Sequence, residues 1–216
     1  MAIVNDIVSS ALRLCRIYDN NPEKLNNAFN DFNLMLKGMD EKINLPTFEN
    51  FTLTANTRDY TIGEGADLNT IRPVKIISGF LRNSDNSDYY LNVNISKQNW
   101  DNIANKNLVS IPEGLYYIPN FPYGNIYFDR YPDYAYTFYL TSIKPYAVYT
   151  GLDEQIIQPP EFEKFLIYSL AIDIAPTYGI QLFNSIFEQY QLLKESIVNR
   201  YSKPVPEAKL DDALFR

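Results

Sequence analysis

Histidine is absent from this chain of 216 residues, and cysteine occurs once, as Cys15. Without histidine there is no imidazole base, no Ser-His or Cys-His nucleophile pair, and none of the commonest zinc ligand. Chemistry would have to rest on carboxylates or lysines, and no cofactor or metal is expected. A single cysteine allows no internal disulfide, which suits a reducing compartment. Cys15 sits in an apolar helical pattern and reads as core packing, not as a reactive thiol. No apolar run reaches the roughly 18 residues that cross a bilayer, so no membrane partner is expected. MAIVNDIVSSALRLC carries Asp6 early and lacks a basic leader, so no signal peptide is expected. Basic runs are missing too. The net charge is -7, whereas a protein that grips the DNA backbone carries a basic stripe.

What is plentiful is aromatic: 18 Tyr and 13 Phe, against 8 Gly and one Trp. Hydrophobic residues make 46% and charged residues 21% of the chain, the balance of a globular protein. The length suits a single domain with an appendage.

The hydrophobic period changes twice. Residues 2–18 have helical spacing, with Val4, Val8, Ala11, Leu12 and Cys15 on one face. Asn21 can cap and Pro22 can open a second helix running to about Lys42, with Leu25, Phe29, Phe32, Met35 or Leu36, Met39 and Ile43 as its stripe. The pair predicts a helical hairpin within residues 2–43. From about Phe48 the period becomes two. FTLTANTRDYTI predicts strand, turn, strand; VKIISGFLR and YYLNVNI are strands about the polar turn SDNSD; SKQNWDNIANKN predicts a short helix with Trp100 as packing anchor. Tyr116 to Ile118, IYFDRY and AYTFYLTSIKPY complete a β region over 48–150, with prolines bracketing the strands. In the last of these, Tyr134, Tyr136, Phe138 and Leu140 point one way and Thr137, Tyr139 and Thr141 the other. The helical period returns over 160–201: one helix near 160–174 with Phe162, Phe165, Leu166, Ser169, Leu170 and Ile172 inward, and one near 181–201 with Leu182, Phe183, Ile186, Phe187, Tyr190, Leu193 and Ile197 on a broad face. The fold class is α+β, with an N-terminal helical hairpin and C-terminal helices packed with a central antiparallel β region. Residues 1–201 read as one domain and 202–216, SKPVPEAKLDDALFR, as an extended C-terminal arm. That arm is either a frayed tail or a segment that docks through its apolar groups.

Three uses of the aromatics compete. A scaffold or subunit interface suits tyrosine, whose ring is apolar and whose hydroxyl stays hydrogen-bonded. Tyr123, Tyr127, Tyr131, Tyr136 and Tyr139 are the interface candidates. A sugar site would use exposed ring faces around 116–139. A single-stranded nucleic-acid site would interleave rings with Lys and Arg, yet Arg130 and Lys144 are the only basic residues between Lys106 and Lys164. Glu113, Asp129 and Asp133 could in principle furnish a glycosidase pair. GEGADL lacks the third glycine of a dinucleotide fingerprint and the Lys-Ser/Thr of a P-loop.

Read together, ALRLCRIYDNNPEKLNNAFNDFNLMLKGM, FTLTANTRDYTIGEGADLNTIRPVKI, YYIPNFPYGNIYFDRYPDYAYTFYLTSIKP and LDEQIIQPPEFEKFLIYSLAIDIAPTYG resemble, in order, phage head-to-tail adaptors of the tail accessory factor type, found beneath the portal of short-tailed phages. The blocks cover most of residues 10–180. The chain departs in a less glycine-rich GEGADLNTIRP loop and in RYP where related chains tend to have a tryptophan before proline. The resemblance implies a structural protein and not an enzyme. It implies a ring, of twelve copies, that docks on the portal protein after packaging, extends the channel, lets genomic DNA pass without specific binding, and presents a platform to a downstream tail or ring protein. The place implied is the portal–tail junction of the virion, after assembly in the host cytoplasm. It also implies that the C-terminal arm reaches the portal, with Val205, Leu210, Leu214 and Phe215 as its contact groups.

Overall fold

The computed structural model describes residues 2–18, 21–39 and 43–201. The fold is α+β: helices at the N- and C-terminal parts, antiparallel sheets between them. Where the sequence suggests one domain, the chain divides into two compact units, Met1–Ile43 with Ala147–Arg216, and Asn44–Tyr146. The arm residues Val205, Leu210, Leu214 and Phe215 lie outside the described residues.

The first unit is helical. Helix α1 (Val4–Leu14) buries Val4, Ile7, Val8, Ala11 and Leu12. Its first-turn amides lack helical partners, and backbone carbonyls supply them: Val4 donates to Glu154 and Asn5 to Leu152, each at 2.9 Å. It ends where Arg16 takes φ 57°, a left-handed residue whose successor, Ile17, donates back to the Leu12 carbonyl at 2.9 Å. Helix α2 (Pro22–Lys37) starts as its sequence predicts, with Asn21 Oδ1 accepting from the Glu23 amide at 2.9 Å and proline in the first turn. It stops at Gly38, short of the expected Lys42, where the Gly38 amide still donates to the Leu34 and Met35 carbonyls at 3.2 and 3.1 Å. Ala28, Phe32 and Leu36 are its buried residues. Asn33 reads the backbone of Tyr149 in both directions, at 3.0 and 2.9 Å, and Phe32 stacks on the Tyr149 ring.

EFEKFLIYSLAIDI forms α4 (Glu161–Ile174), with seven buried residues spread around the helix. A helix with so wide an apolar surface belongs in the middle, and α4, with Glu161, Lys164 and Asp173 left exposed, packs against α1, α2 and the last helix, α5 (Asn184–Tyr201). Each large side chain it buries contributes about 1.5–3 kcal/mol. Cys15 is buried, donates to the Ala171 carbonyl at 3.4 Å, and has its pKa raised by that burial, as a packing thiol should. On α5 the expected broad apolar face is narrower. Ile186 and Ile197 are buried, but Phe183 and Phe187 are exposed. Phe183 lies under the Arg16 guanidinium, 4.9 Å from the ring centre.

The second unit holds two four-stranded sheets. One runs β1 (Pro46–Thr52), β8 (Thr137–Ile143), β4 (Lys75–Arg82), β5 (Asp88–Leu91) across its width. The other runs β3 (Leu68–Asn69), β2 (Asp59–Gly63), β7 (Gly124–Phe128), β6 (Leu115–Ile118). All pairings are antiparallel except β2 with β3. FTLTANTRDYTI does form two strands about a turn, but they do not pair: β1 joins β8 and β2 joins β7, so the turn carries the chain from one sheet to the other. The inner faces share one core in which Ile62, Ile126 and Phe128 meet Leu81, Phe138 and Leu140. Phe128 and Phe138 touch edge to face across it at 5.4 Å. Gly79 lets the strand pack closely there: a Cβ would sit 3.1 Å from both the Phe138 ring and the Tyr139 carbonyl oxygen, tighter than most such contacts. Short helix α3 (Lys97–Asp101), capped by Ser96, carries Trp100.

Candidate interaction face

Within its bounds strand β8 alternates as its sequence predicts, with Phe138, Leu140 and Ser142 inward and Thr137, Tyr139 and Thr141 outward, but Tyr134, expected on the inward side, precedes the strand and is 63% exposed. Tyr139 becomes the centre of a row of rings on the outer face. The cross-strand register places Asn50, Tyr139, Phe80 and Tyr90 side by side on β1, β8, β4 and β5. Phe80 stacks on Tyr139 at 4.6 Å with planes 7° apart, and Phe48 stacks diagonally on Tyr139 at 5.7 Å and 19°. Phe48 is 61% and Tyr90 75% exposed, so both ends of the row are open. Arg82 lies 4.8 Å from the Tyr139 ring centre and 5.5 Å from Phe80, held by a fork to Asp88 at 2.6 and 2.8 Å. That hydrogen-bonded guanidinium keeps the Asp88 carboxyl below the usual carboxylate range.

Phe80 reaches the outside through a β-bulge. The β4–β8 register shifts between Ile76 and Ser78. Alternation counted onward from buried Ile76 would bury Phe80; the extra residue reverses the phase, so Gly79 and Leu81 point in while Phe80 and Arg82 point out.

The five tyrosines singled out in the sequence do not form one face. Tyr139 alone belongs to this row. Tyr136 is 1% exposed, inside the sheet core, so it is not an interface residue in this fold. Its hydroxyl donates to Asp133 at 2.8 Å, and burial raises its pKa. Tyr127 and Tyr131 lie in the other sheet's outer cluster. Tyr127 stacks on its cross-strand partner Tyr116, and Trp100 covers both at 5.8 and 5.7 Å. Arg58, forked to Asp59, lies between the rings of Trp100 and Tyr131. Tyr123 is 41% exposed at the β6–β7 hairpin tip, where its ring approaches Gly63 so closely that a Cβ would lie 2.8 Å away. Phe48, Phe80, Tyr90 and Arg82 were missed because they come from three separate strands and meet only through the register.

The acidic groups weighed for acid–base work are engaged structurally. Arg130 forks onto Glu113 at 3.1 Å twice and donates to Asp129 at 3.1 Å; the second Asp129 oxygen accepts the Glu113 and Gly114 amides. Asp133 accepts from Tyr136. In GEGADLNTIRP the Gly65 amide donates to Asn69 and Asp67 accepts from Thr61, so these donors turn on the loop and its flanking strand and do not converge on a phosphate. Among the described residues, no group of three or more His, Cys, Asp or Glu side chains could hold a metal ion, and no helix is long and apolar enough to cross a membrane.

No family model matches this sequence, and no curated protein matches it.

The row's geometry bears on what could cover it. Phe48, Tyr139 and Phe80 stack on one another, and the two end rings, Phe48 and Tyr90, keep most of their surface open. An exposed apolar ridge flanked by an Arg-Asp fork has the mixed character of a protein-interface patch.

Proposed function

We propose that this chain is a structural subunit that assembles with copies of itself into a ring, as a head-to-tail adaptor of a tailed phage. On this reading it docks on the portal protein, extends the DNA channel and presents a platform to the next tail component. It acts at the portal–tail junction of the virion. The single observation that carries the assembly part is the open row Phe48–Tyr139–Phe80–Tyr90, an aromatic ridge that the chain's own sheet leaves exposed. The portal and tail parts rest on the resemblance of the four sequence blocks. A ring needs heterologous contacts that close by rotation, and the ridge supplies one of the two faces each copy requires. An acidic chain, net charge -7, suits a channel wall along which DNA must slide.

The test is native mass spectrometry of the purified chain alone and mixed with a phage portal protein. The proposal expects one closed multiple, twelve, on the portal. A chain that remains single, or that adds in open-ended numbers, contradicts it.

A further inference from the structure

The helical unit carries an open groove of about 440 Å³ whose lining includes Met35, Met39, Phe165, Asp173, Tyr190 and Lys194. Phe165 and Tyr190 stack at 5.5 Å and bring aromatic surface to it. Methionines adapt to whatever occupies a groove. Asp173 and Lys194 add one charge of each sign. The volume lies in the range of sites that take a few side chains.

We propose that before assembly this groove is occupied by the chain's own C-terminal segment, with Leu210, Leu214 and Phe215 seated in it. Fifteen residues, 202–216, follow the end of α5 at Tyr201. Tyr190 and Lys194 lie on α5 itself, eleven and seven residues before Tyr201, or about 16 and 10 Å back along the helix. An extended chain covers about 3.3 Å per residue, so Leu210, nine residues past Tyr201, has about 30 Å of reach and room to reverse. A tether of this length gives an effective concentration of order millimolar, so weak contacts suffice to fill the groove. Charge does not oppose it. Lys203, Lys209 and Arg216 balance Glu207, Asp211 and Asp212, three against three, so the segment is neutral in a chain of net charge -7. Leu210 and Leu214 are four apart, the spacing that presents both on one side of a helical turn. Seated this way, the apolar groups are shielded in the free subunit and become available when a partner outcompetes the groove. The docking itself does not depend on what that partner is.

The chain has three methionines, Met1, Met35 and Met39, two of them in the groove. Full-length protein labelled with methyl-13C methionine therefore reports the groove directly. Replacing Leu210, Leu214 and Phe215 together by serine is expected to shift the Met35 and Met39 methyl signals and leave Met1 in place. A spin label on Ala213→Cys, with Cys15 buried, is expected to erase most of the Met35 and Met39 signal intensity at every dilution. Unmoved methyl signals, or undiminished intensity beside the spin label, overturn the proposal. Broadening that vanishes on dilution also overturns it, since the occupant is then the segment of a second copy. Failure to form a ring leaves these signals untouched, so the two readings fail separately.

Discussion

The two sheets of the second unit carry nearly the same device on their outer faces and finish it differently. Each has stacked rings in cross-strand register and an arginine lying on aromatic rings and forked to an aspartate: Arg82, on Tyr139 and Phe80, with Asp88 on one, and Arg58, on Trp100 and Tyr131, with Asp59 on the other. On the β3-β2-β7-β6 sheet, helix α3 closes the row, and Trp100 lies over Tyr116 and Tyr127 at 9% exposure. On the β1-β8-β4-β5 sheet the row stays open, with Tyr90 at 75% exposure. The lesson is that aromatic abundance does not by itself mark a binding face. One row completes its packing inside the chain and belongs to stability. The other leaves apolar surface in water, and it is the face that the proposed assembly would cover.

That contrast can be broken by substitution. Trp100→Ala removes the lid from the closed row and is expected to cost about 3 kcal/mol or more, read as a lower urea midpoint. Tyr139→Ser on the open row is expected to cost no more than about 1 kcal/mol by the same measurement, while abolishing ring formation in native mass spectrometry. If the two changes destabilise equally, the open row is part of the fold's own packing and the distinction fails. Phe80→Asp sharpens the point: a charge set among the stacked rings should block association while far-UV circular dichroism stays that of the parent.

Smaller effects follow from the ion pairs. Arg82→Gln should leave the urea midpoint within error, because exposed pairs contribute little. It should weaken association, by freeing the rings it braces and leaving Asp88 beside them. The smallest expected effect is at Asp67, whose carboxyl is held below the usual range by the Thr61 hydroxyl and then by the Thr61 amide. A folded-state pKa below the unfolded one stabilises above the ordinary carboxylate pKa, and that stability is lost as pH falls through the folded value. Asp67→Asn should therefore lower stability slightly at neutral pH and flatten its fall in acid, measured as urea midpoints across pH.

Local periodicity carried much of the fold. The Asn21-Pro22 start, the alternation of β8, the short helix around Trp100 and the inward apolar positions of α4 are all readable from neighbours in the chain. What could not be read is long-range. FTLTANTRDYTI has the appearance of a hairpin, yet its strands enter different sheets, since nothing local names a strand's partner. Phe80 shows its side only after the bulge near Ile77, a single-residue event that reverses the phase. Alternation already sets Tyr136 and Tyr139 on opposite sides, although both are among the interface candidates; Tyr136, just before β8, is core and Tyr139 lies on the outer face. Of the five tyrosine candidates, only Tyr139 belongs to the open row.

The most direct measurement is hydroxyl-radical footprinting of Tyr90 and Phe48 in the free chain and in the assembled particle. Both side chains should label strongly when free and become protected on assembly, while Trp100 stays poorly labelled in both states. Equal labelling of Tyr90 and Phe48 before and after assembly would show that the ridge remains in water, and would contradict the claim that it joins one copy to another.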